Sequence, residues 1–327
     1  MKNTDVTALG ELLVDFTESG LSPRGNPLME ANPGGAPCNV LAMLAKLGRR
    51  TAFIGKVGND SFGKSLRRAA AEANIGVQSL LFDDRVPTTL AFVYNGPDGE
   101  RDFTFYRNPG ADVMLRADEV REELIADSRI FHFGSLSMTH QKSREATKQA
   151  LRYAKKYGCL ISFDPNLREP LWDDLEEART QIAFGLGQCD VLKIADDELR
   201  WFTGRLDLDQ GVRELRSRFG IPLILLTMGR EGSSAWYRDL RVEENAFLME
   251  NTVDSTGAGD TFCGCALDHL LERGIENLRE EDLREMLRFA NAAAALVTTK
   301  KGALCVMPSR AEAEALMTAR PSAAENA

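Results

Sequence analysis

The sequence predicts an α/β fold with a mainly parallel central sheet, helices on both faces and a small β-lid. Three observations lead to this prediction. Short apolar runs with the composition of strands alternate with longer helical segments along most of the chain. Such alternation is typical of parallel strands covered on both faces by helices. Two regions, 12–33 and 88–107, interrupt it with strand-like runs that have no helix between them.

The apolar runs and the helical segments follow one another in a regular order. The predicted strands of the main sheet are VTALG (6–10), TAFIG (51–55), IFHFG (130–134), CLISFD (159–164), VLKIA (191–195) and PLILLT (222–227). The predicted helices are APCNVLAMLAKLG, SLRRAAAEANI, SREATKQALRYAKKYG and a segment that ends in QIAFGLGQ. The strand runs are short and almost wholly apolar, as expected for strands that are buried on both faces.

The two interrupting regions predict the lid. The runs LLVDFTE, NPLMEAN, TTLAFVYN and RDFTFYR fit antiparallel strands joined by turns such as NGPDG. A lid can exclude water from a reaction, and the structural alternatives are a β-ribbon or a dimer contact, either of which is compatible with a lid. We therefore expect one domain over 1–316 that includes the lid, followed by a disordered tail at 317–327.

Composition places the chain among ordinary globular proteins. It has 327 residues, of which 43% are hydrophobic and 27% charged, and its formal net charge is −9. The sequence contains no basic tract, so we expect neither nucleic acid nor an anionic membrane surface as a partner. We see no signal peptide and no apolar run of membrane-spanning length, and expect a cytoplasmic protein. The six scattered cysteines and three histidines favour neither zinc nor a disulfide framework.

The segment GNDSFGKS (58–65) matches the phosphate-loop pattern G-x-x-x-x-G-K-[ST]. It lies between a strand-like run and a helical run, which is the context that the pattern requires. LISFD, which ends at Asp164, could supply the acidic residue for magnesium that such nucleotide hydrolases also need. A P-loop NTPase is therefore one interpretation of the chain.

The alternative interpretation makes GNDSFGKS a structural turn. Its residues Asn59, Asp60 and Ser61 are typical of a turn and a helix N-cap. Phe62 is large for a loop that wraps a phosphate, and we expect its ring to pack into the core. Lys64 is then a solvated lysine of the first helical turn.

A second glycine loop, DSTGAGDTF (254–262), is the stronger candidate for a phosphate site. It follows AFLMENTV, which reads as a strand, and opens the helical run TFCGCALDHLLERG. Gly257, Ala258 and Gly259 are small enough for an anion to approach their N–H groups at a helix N-terminus. Asp260 could accept a proton from a substrate hydroxyl. The structural alternative is an Asp N-cap with glycines that form a tight turn.

DSTGAGDTF resembles the C-terminal signature of the ribokinase-like (PfkB) carbohydrate kinases, and the resemblance extends over almost the whole chain. Two further segments, FYRNPGAD (105–112) and DPNLREPLW (164–172), resemble the fructokinase branch of that family. The remaining matching segments, in family order, are GELLVDF (10–16), NPGGAPCNVLAMLAKLG (32–48), TMGREGS (227–233) and FANAAAALVTTKKGA (289–303).

The resemblance implies a ribokinase-like three-layer sandwich and an ATP-dependent kinase that converts D-fructose to fructose 6-phosphate. Alternatives within the family are kinases for 2-keto-3-deoxygluconate, aminoimidazole riboside, ribose or a nucleoside. A non-catalytic sugar-binding protein on the kinase fold is an alternative of a different class. The resemblance implies a sugar and ATP with Mg²⁺ as small-molecule partners, and K⁺ as a further cation. It also implies a homodimer formed through the β-lid.

The resemblance also implies roles for residues around the reacting hydroxyl. Asp260 would be the general base, and we expect it to stay ionised at the helix N-terminus and to be a weak base. The backbone of Gly257, Ala258 and Gly259 would form the anion hole, and Arg168 would assist. The residues that would bind the sugar are Asp15, Gly34, Gly35, Asn39 and Arg107. The alternative for Asn39 is a helix-cap hydrogen bond.

For the nucleotide, the resemblance places Lys193 beside the triphosphate and gives Glu198 the role of ordering Mg²⁺ through water. The family has Asn where this chain has Ala195. Alternatives are a surface helix position for Glu198 and an ordinary helix position for Asn291. The residues expected at the ribose, phosphates and adenine are Thr227, Gly229, Gly232 and Asn291. Asp254 and the Thr256 carbonyl would hold a monovalent cation.

Overall fold

The structure is a computed structural model that describes residues 2–95 and 101–320. Its strands are β1 (Thr4–Leu9), β2 (Leu13–Leu21), β3 (Pro27–Gly34), β4 (Thr51–Gly58), β5 (Ile75–Asp83), β6 (Leu90–Asn95), β7 (Arg101–Tyr106), β8 (Ser128–Gly134), β9 (Leu160–Asp164), β10 (Val191–Ala195), β11 (Leu223–Thr227), β12 (Ser233–Tyr237) and β13 (Leu240–Glu244). Its α-helices are α1 (Ala36–Lys46), α2 (Ser61–Glu72), α3 (Glu122–Ala126), α4 (Gln141–Lys156), α5 (Leu175–Leu186), α6 (Asp196–Thr203), α7 (Leu208–Phe219), α8 (Ala258–Arg273), α9 (Glu280–Val297) and α10 (Arg310–Ala319).

The main sheet has nine strands in the order β13-β12-β11-β10-β9-β8-β1-β4-β5. Pairing is parallel from β11 to β5, and the two pairs that involve β12 are antiparallel. Every strand predicted for the main sheet belongs to it, which confirms the mainly parallel α/β fold. The sequence reading missed β5, β12 and β13, which lie at the two ends of the sheet.

Alternating side chains of the sheet divide the core into two halves. In β11, Leu223 and Leu225 face one cluster while Ile224 and Leu226 face the other. The first cluster is completed by α1, α2, α8, α9 and α10, and the second by α3 to α7. The molecule is therefore a three-layer sandwich in which helices cover both faces of the sheet.

The lid is a separate four-stranded sheet in the order β3-β2-β6-β7. The pairs β2–β3 and β6–β7 are antiparallel, as predicted, but β2 and β6 are parallel, so the expectation of antiparallel pairing throughout was wrong. The two hairpins come from distant parts of the chain, and nothing local fixes their relative direction. The predicted turn NGPDG runs into residues 96–100, which lie outside the described residues.

Two predictions of local structure differ from the fold. The segment AFLMENTV, predicted as a strand before the glycine loop, has no regular secondary structure. Helix α10 continues through Ala319, three residues beyond the predicted domain boundary at 316, while 321–327 lie outside the described residues.

Over residues 2–95 and 101–320, no helix is both long and apolar enough to cross a membrane. The six cysteines are free, and Cys305 differs from the other five in being exposed.

The segment GNDSFGKS forms a packed turn with no room for a phosphate. Asp60 caps α2, and its carboxylate accepts hydrogen bonds from Gly63 N at 2.8 Å and from Thr88 N at 2.8 Å. A Cβ on Gly63 would lie 2.0 Å from the Gly58 carbonyl oxygen, so the interior of the loop is filled by its own backbone. The structural interpretation of this segment therefore replaces the phosphate-loop interpretation.

Phe62 does not pack into the core as expected. Its side chain is 38% exposed, and its ring meets Phe16 of the lid edge-on at 5.7 Å. Phe16 in turn stacks on Phe92 at 4.8 Å. The residue that was judged too large for a phosphate loop thus contacts the lid.

We predict that Asp60→Ala lowers the free energy of unfolding by about 2 kcal/mol, because the α2 cap and the acceptor for Thr88 N are lost together. The Lys64→Ala control, at an exposed position of the same turn, should change it by less than ~0.5 kcal/mol. Equilibrium denaturant unfolding measures both values. Loss of nucleotide binding in Lys64→Ala would contradict the structural interpretation.

Candidate active site

A cavity of about 690 Å³ opens between the lid and the carboxyl ends of β9, β10 and β11. Carboxyl ends of parallel strands are where α/β folds bind ligands, because the loops that leave the strands converge there. The cavity brings together all of the predicted site residues except Gly34 and Arg107. Those that line it are Asp15, Gly35, Asn39, Arg168, Lys193, Glu198, Thr227, Gly229, Gly232, Asp254, Thr256, Gly257, Ala258, Gly259, Asp260 and Asn291.

The N-terminus of α8 points into the middle of this cavity. Gly257 precedes the helix with φ 79°, and a Cβ at this position would lie 2.4 Å from the Ala303 Cβ, so both conformation and space require glycine. The first N–H groups of a helix have no intrahelical acceptor and favour an anion. The sequence Gly257–Ala258–Gly259 therefore presents backbone donors on a surface with almost no side chain.

Asp260 lies in the first turn of α8 with its carboxylate buried. Asn39 Nδ2 donates to Asp260 Oδ2 at 2.8 Å, and Asn166 Nδ2 donates to Oδ1 at 3.3 Å. Burial raises the pKa of Asp260, and the two amides and the charges of Lys193 and Arg168 offset only part of that rise. The expectation of a weak base set by the helix N-terminus was therefore wrong, because desolvation outweighs the helix.

Lys193, on β10, is buried beside Asp260 and pairs with Asp164 at the end of β9. The Nζ–Oδ2 distance is 3.1 Å. Burial opposes the charged form of Lys193, but Asp164, Glu198 and Asp260 together outweigh it and raise the lysine pKa. A Cβ on Gly259 would lie 3.0 Å from Nζ, so the ammonium sits against the first turn of α8.

Glu198 is buried, so its predicted surface alternative was wrong. Its Oε1 accepts from Leu167 N at 2.7 Å and its Oε2 from Ala195 N at 2.9 Å. The side chain thus joins the loop after β9 to the start of α6. Burial raises the pKa of Glu198 despite the charge of Lys193 and these two donors.

At the lid end of the cavity, Asp15 lies on β2 opposite Asn32 of β3. A Cβ on Gly34 would lie 2.0 Å from Asp15 Oδ2, so Gly34 makes room for the carboxylate without lining the cavity itself. Burial raises the pKa of Asp15 to about 7, with Arg168 opposing the rise and Asp254 and Asp260 adding to it.

Arg107 is not brought to the cavity as predicted. Its guanidinium makes two bonds to Asp112 Oδ2, at 2.8 and 2.6 Å, and reaches Thr139 Oγ1 and the Leu136 carbonyl, both at 3.0 Å. These contacts leave the side chain only 4% exposed. Its place in FYRNPGAD suggested that Arg107 binds the sugar, but its guanidinium is hydrogen-bonded to Asp112 of the same segment.

Arg168 remains available to a ligand. It is exposed on the loop after β9, and its Nη1 donates to the Leu167 carbonyl at 3.1 Å. Its charge lowers the pKa values of Asp15, Asp164 and Asp260 against the larger effect of burial. It is therefore the exposed cation of a cavity rich in carboxylates.

The β11 end of the cavity is shaped by glycines and one amide. Gly232 has φ 111°, and a Cβ there would lie 2.1 Å from the Glu244 carbonyl oxygen. Asn291 of α9 accepts from Ser233 Oγ at 2.9 Å and donates to the carbonyls of Glu244 and Asn245. Asn291 is therefore more than an ordinary helix residue, because its amide joins α9 to the β12–β13 region.

Asp254 connects the glycine loop to the turn that follows α9. Its Oδ1 accepts from Thr256 N at 2.9 Å and its Oδ2 from Gly302 N at 3.3 Å. Among the residues that the structure describes, no group of three or more His, Cys, Asp or Glu side chains could hold a metal ion.

Two residues of the site, Glu11 and Asn166, were not predicted from the sequence. Asp164 was predicted only as the acidic residue for magnesium in the phosphate-loop interpretation, whereas the structure pairs it with Lys193. Glu11 follows the buried strand β1 within an apolar run, a position that could have singled it out. It lines the cavity, is 3% exposed and accepts from Ala36 N at 2.8 Å.

Comparison with known proteins agrees with this geometry. Residues 3–310 match the family model described as pfkB family carbohydrate kinase. The chain is 42% identical over 310 residues to probable fructokinase-2 of Arabidopsis thaliana, covering 94% of each chain. This chain belongs to the pfkB family of carbohydrate kinases.

Solved structures of this family match over nearly the full length. Fructokinase with bound ATP from Xylella fastidiosa has a TM-score of 0.88 at 31% identity, covering 98% of this chain and 99% of that one. Fructokinase from Vibrio cholerae O395, in a form with fructose, ADP and calcium ion bound, has a TM-score of 0.84 at 29% identity, covering 97% and 99%. The pfkB kinase thus has the ribokinase-like sandwich that its sequence predicted.

We predict that Gly34→Ala lowers kcat/KM for the sugar at least ~10-fold, because the new Cβ displaces the Asp15 carboxylate. The KM for ATP and the melting temperature should change little, since a flexible side-chain end gives way and the backbone does not. Steady-state kinetics with each substrate varied in turn measures the effect. An unchanged sugar kcat/KM would contradict the placement of Asp15 against Gly34.

Proposed function

We propose that this pfkB kinase transfers the γ-phosphoryl group of ATP to D-fructose and yields fructose 6-phosphate. The observation that carries the proposal is the position of Asp260. Its buried carboxylate lies in the first turn of α8 and borders the same cavity as Asp15 at the lid end and Thr227 at the β11 end. A sugar hydroxyl at Asp260 would face the γ-phosphorus of a nucleotide laid along the β11 side.

In this reaction Asp260 is the general base. Asn39 and Asn166 hold its two oxygens, so the carboxylate has one orientation when the sugar binds. Its pKa, raised by burial, makes it a stronger base than a solvated aspartate. It takes the proton of the attacking hydroxyl as the new O–P bond forms, and ADP leaves with the electrons of the broken bond.

The charge that develops on the phosphoryl group meets backbone N–H donors and two cations. Gly257, Ala258 and Gly259 form the anion hole. Lys193, already beside Gly259, stabilises the phosphate from within the protein, and Arg168 does so from the solvent side. Backbone donors at a helix terminus have fixed directions, so they would need little reorganisation during the transfer.

Asp15, Gly35 and Asn39 bind the sugar, while Thr227, Gly229, Gly232 and Asn291 border the nucleotide. Mg²⁺ bound with ATP would neutralise the charge of its phosphates, and Glu198 would be the residue that orders it through water. Asp254 and the Thr256 carbonyl would hold a monovalent cation such as K⁺. A fructokinase of Vibrio cholerae O395 has been solved with fructose, ADP and potassium ion bound, which supports looking for this requirement.

We further propose a cytoplasmic enzyme that pairs as a homodimer through the lid. Exposed apolar side chains of the lid support such pairing, among them Leu21 at 65%, Leu28 at 46% and Tyr106 at 65% exposure.

The deciding measurement is fructose-dependent ADP release with Mg-ATP. We expect Asp260→Asn to lower kcat by ~10²-fold or more, because the amide cannot accept the proton. Lys64→Ala should keep wild-type activity as the matched control. Absence of fructose-dependent turnover in the wild type would overturn the substrate and direct the assay to the other sugars of the family.

The pH dependence of the reaction should follow the buried carboxylates. Because their folded pKa values are raised, Asp15 to about 7 and Asp260 above its ordinary range, each is protonated at pH values where a solvated carboxylate is ionised. We therefore expect kcat/KM for fructose to rise with pH through about 7. Initial rates between pH 5 and 9 measure this profile, and a flat profile over that range would contradict it.

A further inference from the structure

Glu11 is a buried carboxylate for which the reaction described above has no role. It lies in the connection between β1 and β2, is 3% exposed, and lines the cavity beside the residues assigned to the sugar. Its Oε1 accepts from Ala36 N at 2.8 Å, the first N–H of α1. The N-cap residue of that helix is Gly35, which has no side chain to accept this bond, so Glu11 caps α1 from another part of the chain.

Glu11 is not neutralised by an ion pair in the described part of the chain. The Arg107 guanidinium, whose charge acts on Glu11, makes two bonds to Asp112 and one each to Thr139 and Leu136. Within residues 2–95 and 101–320, no Lys or Arg forms an ion pair with Glu11. A buried carboxylate without a counter-ion needs hydrogen-bond donors, because desolvation otherwise disfavours its charge.

The charge of Glu11 limits which ligand groups can lie beside it in the cavity. An anionic phosphate would be repelled by the carboxylate, whereas a hydroxyl can donate a hydrogen bond to it without carrying charge. At the lid end, Leu13, Leu136 and Phe105 supply apolar walls, which is how a site fixes a ligand with a few polar contacts. A neutral hydroxyl is therefore a ligand group that complements Glu11, and it is the group that the proposed sugar supplies.

We propose that Glu11 is a further sugar-binding residue, whose carboxylate accepts a hydrogen bond from a hydroxyl of the bound sugar while it holds the first turn of α1. This inference rests on the proposed function and adds a determinant of sugar specificity to it. The two contacts are linked through α1, since Asn39, one turn after Ala36, donates to Asp260. The sugar contact and the orientation of the base thus share one element.

The titration of Glu11 is consistent with this role. Burial raises its pKa to about 7, and the opposing effects come from backbone donors and Arg107, while Asp112 adds to the rise. The Cys38 thiol also lies near it, with its pKa raised by burial and by Glu11. The carboxyl group thus has fewer donors than its charge requires before a sugar is present.

A cycle of substitutions in the enzyme and deletions in the sugar tests the proposal. The kcat/KM of wild type, Glu11→Ala and Glu11→Gln is measured with fructose and with 1-deoxy, 3-deoxy and 4-deoxy fructose and 2,5-anhydromannitol, each of which lacks one hydroxyl. Glu30→Gln, at an exposed carboxylate of the lid, is the matched control and should behave as wild type with every sugar. The KM for ATP is measured for each variant.

With fructose, we expect Glu11→Ala to lower kcat/KM by about 10- to 100-fold, as for the loss of a hydrogen bond to a charged group. With one of the deoxy sugars or the anhydro sugar, the same substitution should cost less than about threefold, because the partner hydroxyl is already missing. If Glu11 had only a structural role, Glu11→Ala would lower kcat/KM by the same factor with every sugar, and that result would overturn the proposal.

Glu11→Gln makes the test independent of folding. It keeps the volume of the side chain and an acceptor for Ala36 N, so it preserves the helix cap if Glu11→Ala does not fold. We expect the same selective coupling from Glu11→Gln, with a smaller factor, and equal costs with all sugars would again overturn the proposal. Failure of the wild type to phosphorylate fructose would refute the proposed function, and this is a different result from equal costs across the cycle.

Discussion

The buried ion pair between Lys193 and Asp164 is the interaction on which the rest of the site depends. It lies at the carboxyl ends of two adjacent parallel strands, against the first turn of α8. Asp260 and Glu198 lie close enough to influence the same ammonium. Without that positive charge, Asp164, Glu198 and Asp260 would lose the buried cation that lowers the pKa of each against the effect of desolvation. Lys193 thus makes it possible to bury the Asp260 carboxylate in the first turn of α8.

The same concentration of carboxylates poses a problem for a protein that binds ATP. Its formal net charge is −9, and Glu11, Asp15, Asp164, Glu198 and Asp260 are all near the cavity. The site contains neutral donors, mainly the backbone N–H groups of the glycine loop, and few cations. Glycine is required there by space as well as by conformation, as the contact between Gly257 and Ala303 shows. An anion site built in this way can lie beside a general base without neutralising it by direct pairing.

The lid completes the cavity from a separate sheet. Asp15 stands on β2, which pairs with β3 on one side and with β6, from a distant part of the chain, on the other. Its position therefore depends on two hairpins and on the small residue at Gly34. Arg107, at the base of the lid, binds Asp112 and the Leu136 carbonyl, and Leu136 lines the cavity.

The sequence by itself determined the layers of the fold and the identity of the glycine loop. Periodicity and composition were sufficient to predict the inner strands, because each is buried on both faces. The motif DSTGAGDTF was sufficient to predict the N-terminus of α8, because its small residues and its acidic residue are contiguous. Strand β12 is buried along its whole length but contains two serines, whereas β5 and β13, at the two ends of the sheet, are only partly buried, so none of the three has the continuous apolar run of the inner strands. The parallel pairing of β2 with β6 escaped because it joins segments with no local connection.

Tertiary structure alone decided the electrostatics of the site. Asp260 was expected to be a weak base from its helix position, yet burial raises its pKa by more than the hydrogen bonds from Asn39 and Asn166 lower it. The sequence did not distinguish Arg107 from Arg168. Only the tertiary structure shows that the Arg107 side chain is buried and hydrogen-bonded to Asp112, whereas Arg168 is exposed. The contact between Glu11 and the first N–H of α1 also depends on the packing of the β1–β2 connection against that helix. Desolvation and pairing are sums over neighbours in space, and the order of residues along the chain does not specify those neighbours.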